Sequence, residues 1–286
     1  MTDNYEALLI FCEGPHDAAF VQLILKSIHG YNPEAYKFSE FPFPFSSLFG
    51  KTVQDYVADD LRLDMARKFF LPDHVLRKDK KLALIFNYGG SNRKEAITPF
   101  LQRLFTLQED GNAFGGVKFV DKFAYLFMAD ADNHGLEAAI QKISADFAVI
   151  DNTPWLSNDW VPIENTFGAK QRENSDIGAY VWRNYNNDSG TLECLIEECL
   201  EPAGGLKPFL EIADKHFEWK CSDDSHKTAV AERAKRLKAA ISMMGQRKKP
   251  GGSMSVVLGQ GKFLDNENLA NSASVQSLLN FIHPWV

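Results

Sequence analysis

Two short runs set acidic side chains at spacings suited to metal-ion chemistry. One is Glu13-Gly14-Pro15-His16-Asp17 and the other is Asp130-Ala131-Asp132. In extended backbone, residues i and i+2 project to the same side, so Asp130 and Asp132 are expected to stand together. Paired carboxylates repel and raise each other's pKa. A dication removes that cost, and Mg2+ and Mn2+ favour hard oxygen ligands while keeping several waters. Such an ion activates water and clamps a phosphate. Asp is also common at strand ends and as a helix N-cap. By residue type, Asp132 or Asn133 can equally cap a following helix, and a lone D-x-D does not choose between the two readings.

The choice turns on the elements that would position these groups. Ala7 to Cys12 (ALLIFC) is a continuous apolar run of strand length, the pattern of a strand buried on both faces. It stops at Glu13-Gly14-Pro15, and Asp17 to Ile28 then shows helical spacing through Phe20, Leu23, Ile24 and Ile28. LALIF (82–86) predicts a second strand ending in Gly89-Gly90, glycines that would let backbone approach a ligand closely. A helix is expected from about Asn92 to Leu107, then a loop at 109–116. FAYLFMA (123–129) predicts a third strand, ending at the D-x-D, and a helix follows from about Gly135 to Phe147. This alternation predicts an α/β fold with a mostly parallel sheet flanked by helices. Ligands of such sheets bind at the carboxyl ends of the strands, which is where Glu13, Asp130 and Asp132 fall.

Residues 30–80 read as an insertion after the first helix, with helical spacing at 52–71 (Val53, Val57, Leu61, Met65, Phe69) and RKDKK (77–81) as a solvated linker. The aromatic, Pro-rich FPFPF stretch is expected to pack over the sheet edge or to form an exposed docking surface. WVPIE (160–164) and AYVWRNY (179–185) are candidate strands, and Leu192–Leu200 a candidate helix. Residues 205–245 read as helical with a break near 221–225, GQRKKPGGS (245–253) as a flexible loop, and VQSLLNFI (275–282) as a closing helix. The expected division is an α/β core over 1–200 and a helical C-terminal extension over 201–286, packed on the core.

LLIFCEGPHD (8–17), LALIFNYGG (82–90) and LFMADADNHG (126–135) together resemble the Toprim domain, shared by topoisomerases, bacterial primases and the overcoming-lysogenisation-defect (OLD) nucleases. The family pattern is a hydrophobic strand followed by E-G-x-x-D, then a later strand followed by D-x-D with a Gly soon after. It is matched at Glu13, Gly14, Asp17, Asp130, Asp132 and Gly135. The resemblance implies a Toprim-like sheet, an Mg2+ or Mn2+ site and hydrolysis or transfer at a DNA or RNA phosphodiester. It implies Glu13 as metal ligand or general acid/base, and Asp130 and Asp132 as metal ligands. Asp17 would serve a second ion or orient Glu13. A later Glu joins the metal site in OLD-type proteins; Glu193 is the similar position and Glu197 the fallback. Those nucleases also use a late Lys, for which Lys227 is the candidate. The tyrosine-bearing domain of a topoisomerase, the zinc domain of a primase and the G-x-x-x-x-G-K-[ST] loop of an OLD ATPase have no counterpart here. The resemblance is therefore to a stand-alone Toprim-like protein, with a separately encoded ATPase or other protein as a partner to consider.

A local charge asymmetry points to a polyanion. Residues 227–249 carry Lys227, Arg233, Lys235, Arg236, Lys238, Arg247, Lys248 and Lys249 against Glu232, eight minus one or +7, within a chain of net charge -7. These bases are candidate nucleic-acid contacts, giving salt-dependent binding. The competing role is a solvated helix face behind the apolar stripe of Ala229, Val230, Ala234, Leu237 and Ile241. His16 is either catalytic or merely near a helix start. Trp155, Trp160 and Trp182 either stack bases or pack in the core.

With 45% hydrophobic and 24% charged residues, the composition is that of an ordinary globular chain. The four cysteines have no C-x-x-C spacing and no His pair to complete a zinc pattern. Cys12 reads as a small core residue. No run of about 18 apolar residues occurs, and the N-terminus has no basic n-region. A cytoplasmic, non-membrane setting is the expectation. Two function classes remain: a metal-dependent nuclease or related phosphoryl-transfer enzyme, and a non-catalytic Toprim-like module binding nucleic acid or protein. A small-molecule phosphohydrolase using the same ions is a weaker third.

Overall fold

The structure is a computed structural model. It describes residues 3–57, 70–89, 91–110, 118–147, 162–163, 166–172, 175–184, 188–216 and 226–286.

The apolar run at the N-terminus forms the central strand β1 (Asp3–Cys12). It pairs in parallel with β4 (Lys81–Asn87) on one side and β5 (Lys118–Asp130) on the other. With both edges and both faces covered, every residue from Leu8 to Cys12 is buried. The register places Phe11 opposite both Phe86 and Phe127, and the three rings stack at centroid separations of 5.2 and 5.3 Å. Offset-stacked rings of this kind add about 0.5–1.5 kcal/mol per pair beyond burial.

Eight strands make one sheet in the order β2-β3-β4-β1-β5-β8-β7-β6. The outer members are β2 (Asn32–Pro33), β3 (His74–Lys78), β6 (Pro162–Ile163), β7 (Thr166–Arg172) and β8 (Ser175–Trp182). The central four, β4, β1, β5 and β8, run parallel, and the flanking pairs β3–β4, β2–β3, β7–β8 and β6–β7 are antiparallel. Helices cover both faces, as a buried parallel sheet requires. One face holds α1 (Pro15–Ser27), α5 (Leu192–Leu200), α7 (His226–Gln246), α8 (Met254–Gln260) and α10 (Ala273–Ile282). The other holds α2 (Phe45–Val57), α3 (Ser91–Asp110) and α4 (Gly135–Phe147). The remaining helices are α6 (Lys207–His216) and α9 (Asn266–Asn271).

The α/β architecture with a mostly parallel sheet and a helical C-terminal region is thus as expected. Several details differ. RKDKK is not a linker: Arg77 and Lys78 end β3, Asp79 and Lys80 form the turn, and Lys81 starts β4. A charged segment suits an edge hairpin as well as a linker. The helix expected at 52–71 begins earlier, at Phe45, and its expected part from 58 to 69 lies outside the described residues. Phe41 and Phe45 are buried on the α2 face, and the Phe43 carbonyl accepts from Val120 N at 2.8 Å. The FPFPF stretch therefore packs inward and forms no docking surface. The strand expected at 179–185 begins at Ser175 and ends at Trp182. The turn after α7 is tied down: Gly251 N donates to Gln246 Oε1 at 2.6 Å, and Gln246 Nε2 donates to the Gly252 carbonyl at 3.1 Å.

The C-terminal helices share one apolar cluster with α1 and the sheet. Phe281 of α10 packs on Tyr180 of β8 and on Trp285, at centroid distances of 5.5 and 5.3 Å. Phe281→Ala is therefore expected to cost about 3–5 kcal/mol in a single urea transition. A loss below about 1 kcal/mol, or a separate low-denaturant transition, would show that the C-terminal helices fold as a detachable unit.

Candidate functional site

The chain leaves β1 toward β4 on one side and later returns to β5 on the other, so a crevice opens at the carboxyl ends of β1 and β5. Such a topological switch point is the usual ligand position in open α/β sheets. Glu13 follows β1, Asp17 lies in the first turn of α1, Asp130 ends β5, Asp132 follows it, and Glu193 lies in the first turn of α5.

Each side chain is held by a local physical reason. Asp17 reaches back to the N-cap of its own helix and accepts from Gly14 N at 2.7 Å, as the third helical residue of a capping box does. Asp130 accepts from Leu192 N at 2.9 Å. It thereby caps α5, whose own N-cap residue Thr191 makes no side-chain capping bond. Asp132 has a left-handed backbone (φ 49°) and exchanges two backbone hydrogen bonds of 2.8 Å with Gly190. It does not cap α4; Leu136 N at that helix's start donates instead to Asp188 at 3.3 Å. Gly135 is required in that turn, because its φ of 82° strains any side chain and a Cβ would lie 2.4 Å from Asp188 Oδ2.

Strand alternation divides the carboxylates between the two sides of the sheet edge. Glu13 has the parity of Phe11, on the face of α3 and α4, and its Oε1 accepts from Lys142 Nζ of α4. Its Oε2 accepts from Asp130 N at 3.3 Å, across the crevice. Asp130 has the parity of Met128, on the face of α1 and α5. Glu193 is only 2% exposed. Its Oε1 lies 3.6 Å from Lys238 Nζ and 4.0 Å from His16 Nδ1, and its Oε2 is buried without a hydrogen-bond partner among the described residues.

These carboxylates feel one another. Burial, then the charge of Glu193, pushes the Asp17 carboxyl up to about 8. Asp130 is raised well above its ordinary value by burial and then by Asp17 and Glu193. Asp132, exposed at the mouth of the site, is raised by partial desolvation and then by Glu13. His16 is lowered by burial, against the pull of Glu193. Lys142 is raised, because its bond to Glu13 and the surrounding acids outweigh partial burial.

Glu13, Asp17, Asp130, Asp132 and Glu193 thus fall at one crevice. Glu197 does not join them; it accepts from Arg233 at 2.8 Å. Lys227 lies in the first turn of α7, and the lysine that reaches Glu193 is Lys238, roughly 16 Å further along that helix axis. Three bases of the basic segment pair with acids of neighbouring helices, and a fourth pairs within α7. Arg233 meets Glu197, Lys235 meets Glu232 at 2.7 Å, Arg236 grips Asp214 through Nε at 2.8 Å, and Lys238 faces Glu193. Four of the eight bases thus already have carboxylate partners; Arg247 and Lys248 are exposed and Lys249 is half-buried. Trp182 is fully buried against Phe20 and Tyr180, so it is a core residue. Trp155 and Trp160 lie outside the described residues.

Gly89 has a role other than the one expected. A Cβ there would lie 1.8 Å from the Glu13 carbonyl oxygen, so the close approach is to the backbone that carries Glu13. Sequence reasoning missed Lys142 and the Leu192 N–H. The only available signal for Lys142 was its place about two turns into the helix after D-x-D.

No family model matches the chain, and no curated protein matches it. Among solved structures, a hypothetical protein from Pyrococcus horikoshii aligns over 98% of this chain and 99% of its own, with a TM-score of 0.54 and 16% identity. At that identity the likeness is one of fold.

The raised Asp17 pKa has a consequence for stability. An acid with a higher pKa folded than unfolded (about 3.9) holds its proton more tightly in the native state. Unfolding then releases that proton between about pH 4 and pH 8, and stability falls as pH rises through that window. Asp17→Asn keeps the acceptor for Gly14 N and removes the titration. In EDTA, melting temperatures from pH 4 to 8 should decline less steeply in the variant than in the wild type. Parallel curves would refute the raised pKa.

Proposed function

We propose that the protein is a Toprim-like, Mg2+- or Mn2+-dependent phosphoryl-transfer enzyme acting as a nuclease on DNA or RNA, with the cytoplasm as its setting. One observation carries the reading: carboxylates from α1, β5 and α5 lie at the switch point of a parallel sheet, Asp17 and Glu193 among them are buried, and one oxygen, Glu193 Oε2, has no partner among the described residues. Capping alone does not require this, because Asn would cap α1 and α5 without repulsion.

The donor set suits a hard dication in its chemistry, since every group is a carboxylate oxygen. It does not gather closely: among the described residues, no three His, Cys, Asp or Glu side chains are disposed to hold a metal ion. Asp130, Asp132 and Glu13 are the candidate ligands, with Asp17 and Glu193 beside them, and these side chains would have to move together to hold an ion. When bound, the ion would activate water and offset charge on the phosphate. Glu13, half-buried at the crevice, is the group to accept or return a proton. Lys238 balances Glu193 in the place expected of Lys227. Arg247, Lys248 and Lys249 are the bases to meet a nucleic-acid backbone.

The absence of a convergent trio favours a second reading, a Toprim-like module that binds nucleic acid or protein without cutting. Cleavage of plasmid, linear duplex, single-stranded DNA and RNA with Mn2+, Mg2+ or EDTA separates the two. Metal-dependent cleavage is expected, falling about 10²–10⁴-fold in Glu13→Gln and also lost in Asp130→Asn, which keeps an acceptor for Leu192 N. Binding without cleavage under every condition would favour the module. In either case, replacing Lys248 and Lys249 by Glu should lower the slope of log affinity against log salt by about 2. An unchanged slope would remove that turn from the interface.

A further inference from the structure

Between Glu232 and Asp265 the chain carries eight bases and no acid, so a protein of net charge -7 holds -15 elsewhere. The first four of these bases, Arg233 to Lys238, have carboxylate partners, and Lys238 stands at the crevice beside Glu193. The last four, Arg247, Lys248, Lys249 and Lys262, pair with no carboxylate among the described residues, and all but the half-buried Lys249 are exposed. The fold keeps the stretch together. Gly245 lets α8 lie directly on α7, since a Cβ there would meet Val257 Cγ1 at 2.0 Å. The turns of α7 beyond Lys238, the turn tied down through Gln246, and α8 thus form a surface to which they contribute no acid. The dipole of α7 favours bases at its C-terminus. It gives α8 no reason to lack acids, because an acid in the first turn of α8 would be favoured on the same ground. That turn holds Met254, Ser255 and Val256.

We infer that this surface is the track of a nucleic-acid strand running from the crevice to the basic turn, and that the substrate is a polymer engaged over about four nucleotides or more, not a single nucleotide. The inference rests on the nuclease reading above and gives its substrate a minimum size. Lys238 and Gln246, the last residue of α7, lie roughly 12 Å apart along the helix axis. Phosphates of one strand in a duplex follow one another at about 3.4 Å along its axis, so a strand that lies at the crevice and reaches the turn spans about four of them. Between the two points α7 offers the half-buried, uncharged Ala239, Ser242 and Met243, and a phosphate backbone passes them without repulsion. Charge selects the occupant: a polyanion is repelled by the rest of this acidic chain and drawn to the one stretch without acids. Lysine and arginine at a backbone fix its position without reading its sequence, so the track holds strands of any sequence.

The test is fluorescence anisotropy on the full chain in EDTA, with labelled oligonucleotides from two to sixteen residues long and circular dichroism to verify folding. Affinity should rise at least about tenfold between two and eight nucleotides and then level off. Replacing Lys248 and Lys249 by Glu should weaken binding of the eight-nucleotide strand at least about tenfold. Replacing Lys37 and Lys51 by Glu makes the same change of charge at exposed positions on the α2 side, and should weaken it less than about threefold. Equal affinity for all lengths, or equal loss in the two double variants, overturns the inference. Tighter binding of a polyglutamate peptide than of the eight-nucleotide strand would assign the surface to an acidic protein and overturn it as well. Binding as expected with no cleavage under any metal condition overturns the nuclease reading and leaves the track in place. Cleavage of dinucleotides as fast as of longer strands overturns the track and leaves the nuclease reading intact.

Discussion

The constraint on which the molecule depends is the complete enclosure of β1. Its two edges are hydrogen-bonded to parallel neighbours, and its two faces lie under helices. No polar side chain is tolerable between Ala7 and Cys12, so the first acid after that run, Glu13, emerges where the strand leaves the sheet. The same enclosure of β5 delays its first acid after Phe123 to Asp130. The parallel register of the two strands then sets both carboxylates at one end of the sheet. The arrangement of the site is a consequence of where a buried parallel sheet permits charge.

Once gathered, the acids serve the fold as well as any chemistry. Asp17 caps α1 and Asp130 caps α5. A cap needs only an acceptor, which Asn supplies, whereas ionised Asp in this crevice repels its neighbours. Two lysines temper the repulsion, Lys142 on one side of the sheet edge and Lys238 on the other.

Charge was the least transferable part of the sequence. The basic stretch at 227–249 stands out in composition, yet the fold lays Arg233, Arg236 and Lys238 against Glu197, Asp214 and Glu193 of neighbouring helices. Composition counts charges along the chain; pairing depends on which helix faces which, and α7 packs against α5 and α6, which turn Glu193, Glu197 and Asp214 toward it.

Strands with two buried faces were legible in sequence, because continuous apolar runs have no other use at that length. The helices Gly135–Phe147 and Leu192–Leu200 were equally plain from their spacing and flanking residues. The edge strands β3 and β7 were not, since edges mix charged and apolar residues without a clear period, and the short helices α8 and α9 offered too few turns to show one. In the site, Glu13, Asp17, Asp130 and Asp132 were readable from local motifs at strand ends. The grip of Lys142 on Glu13, the capping of α5 by Asp130, the burial of Glu193 and the approach of Lys238 to Glu193 were decided by tertiary structure. Local periodicity reports how a segment meets its own neighbours. Contacts between residues 45 to 129 positions apart, as here, are set by strand register and helix packing, which are properties of the whole fold.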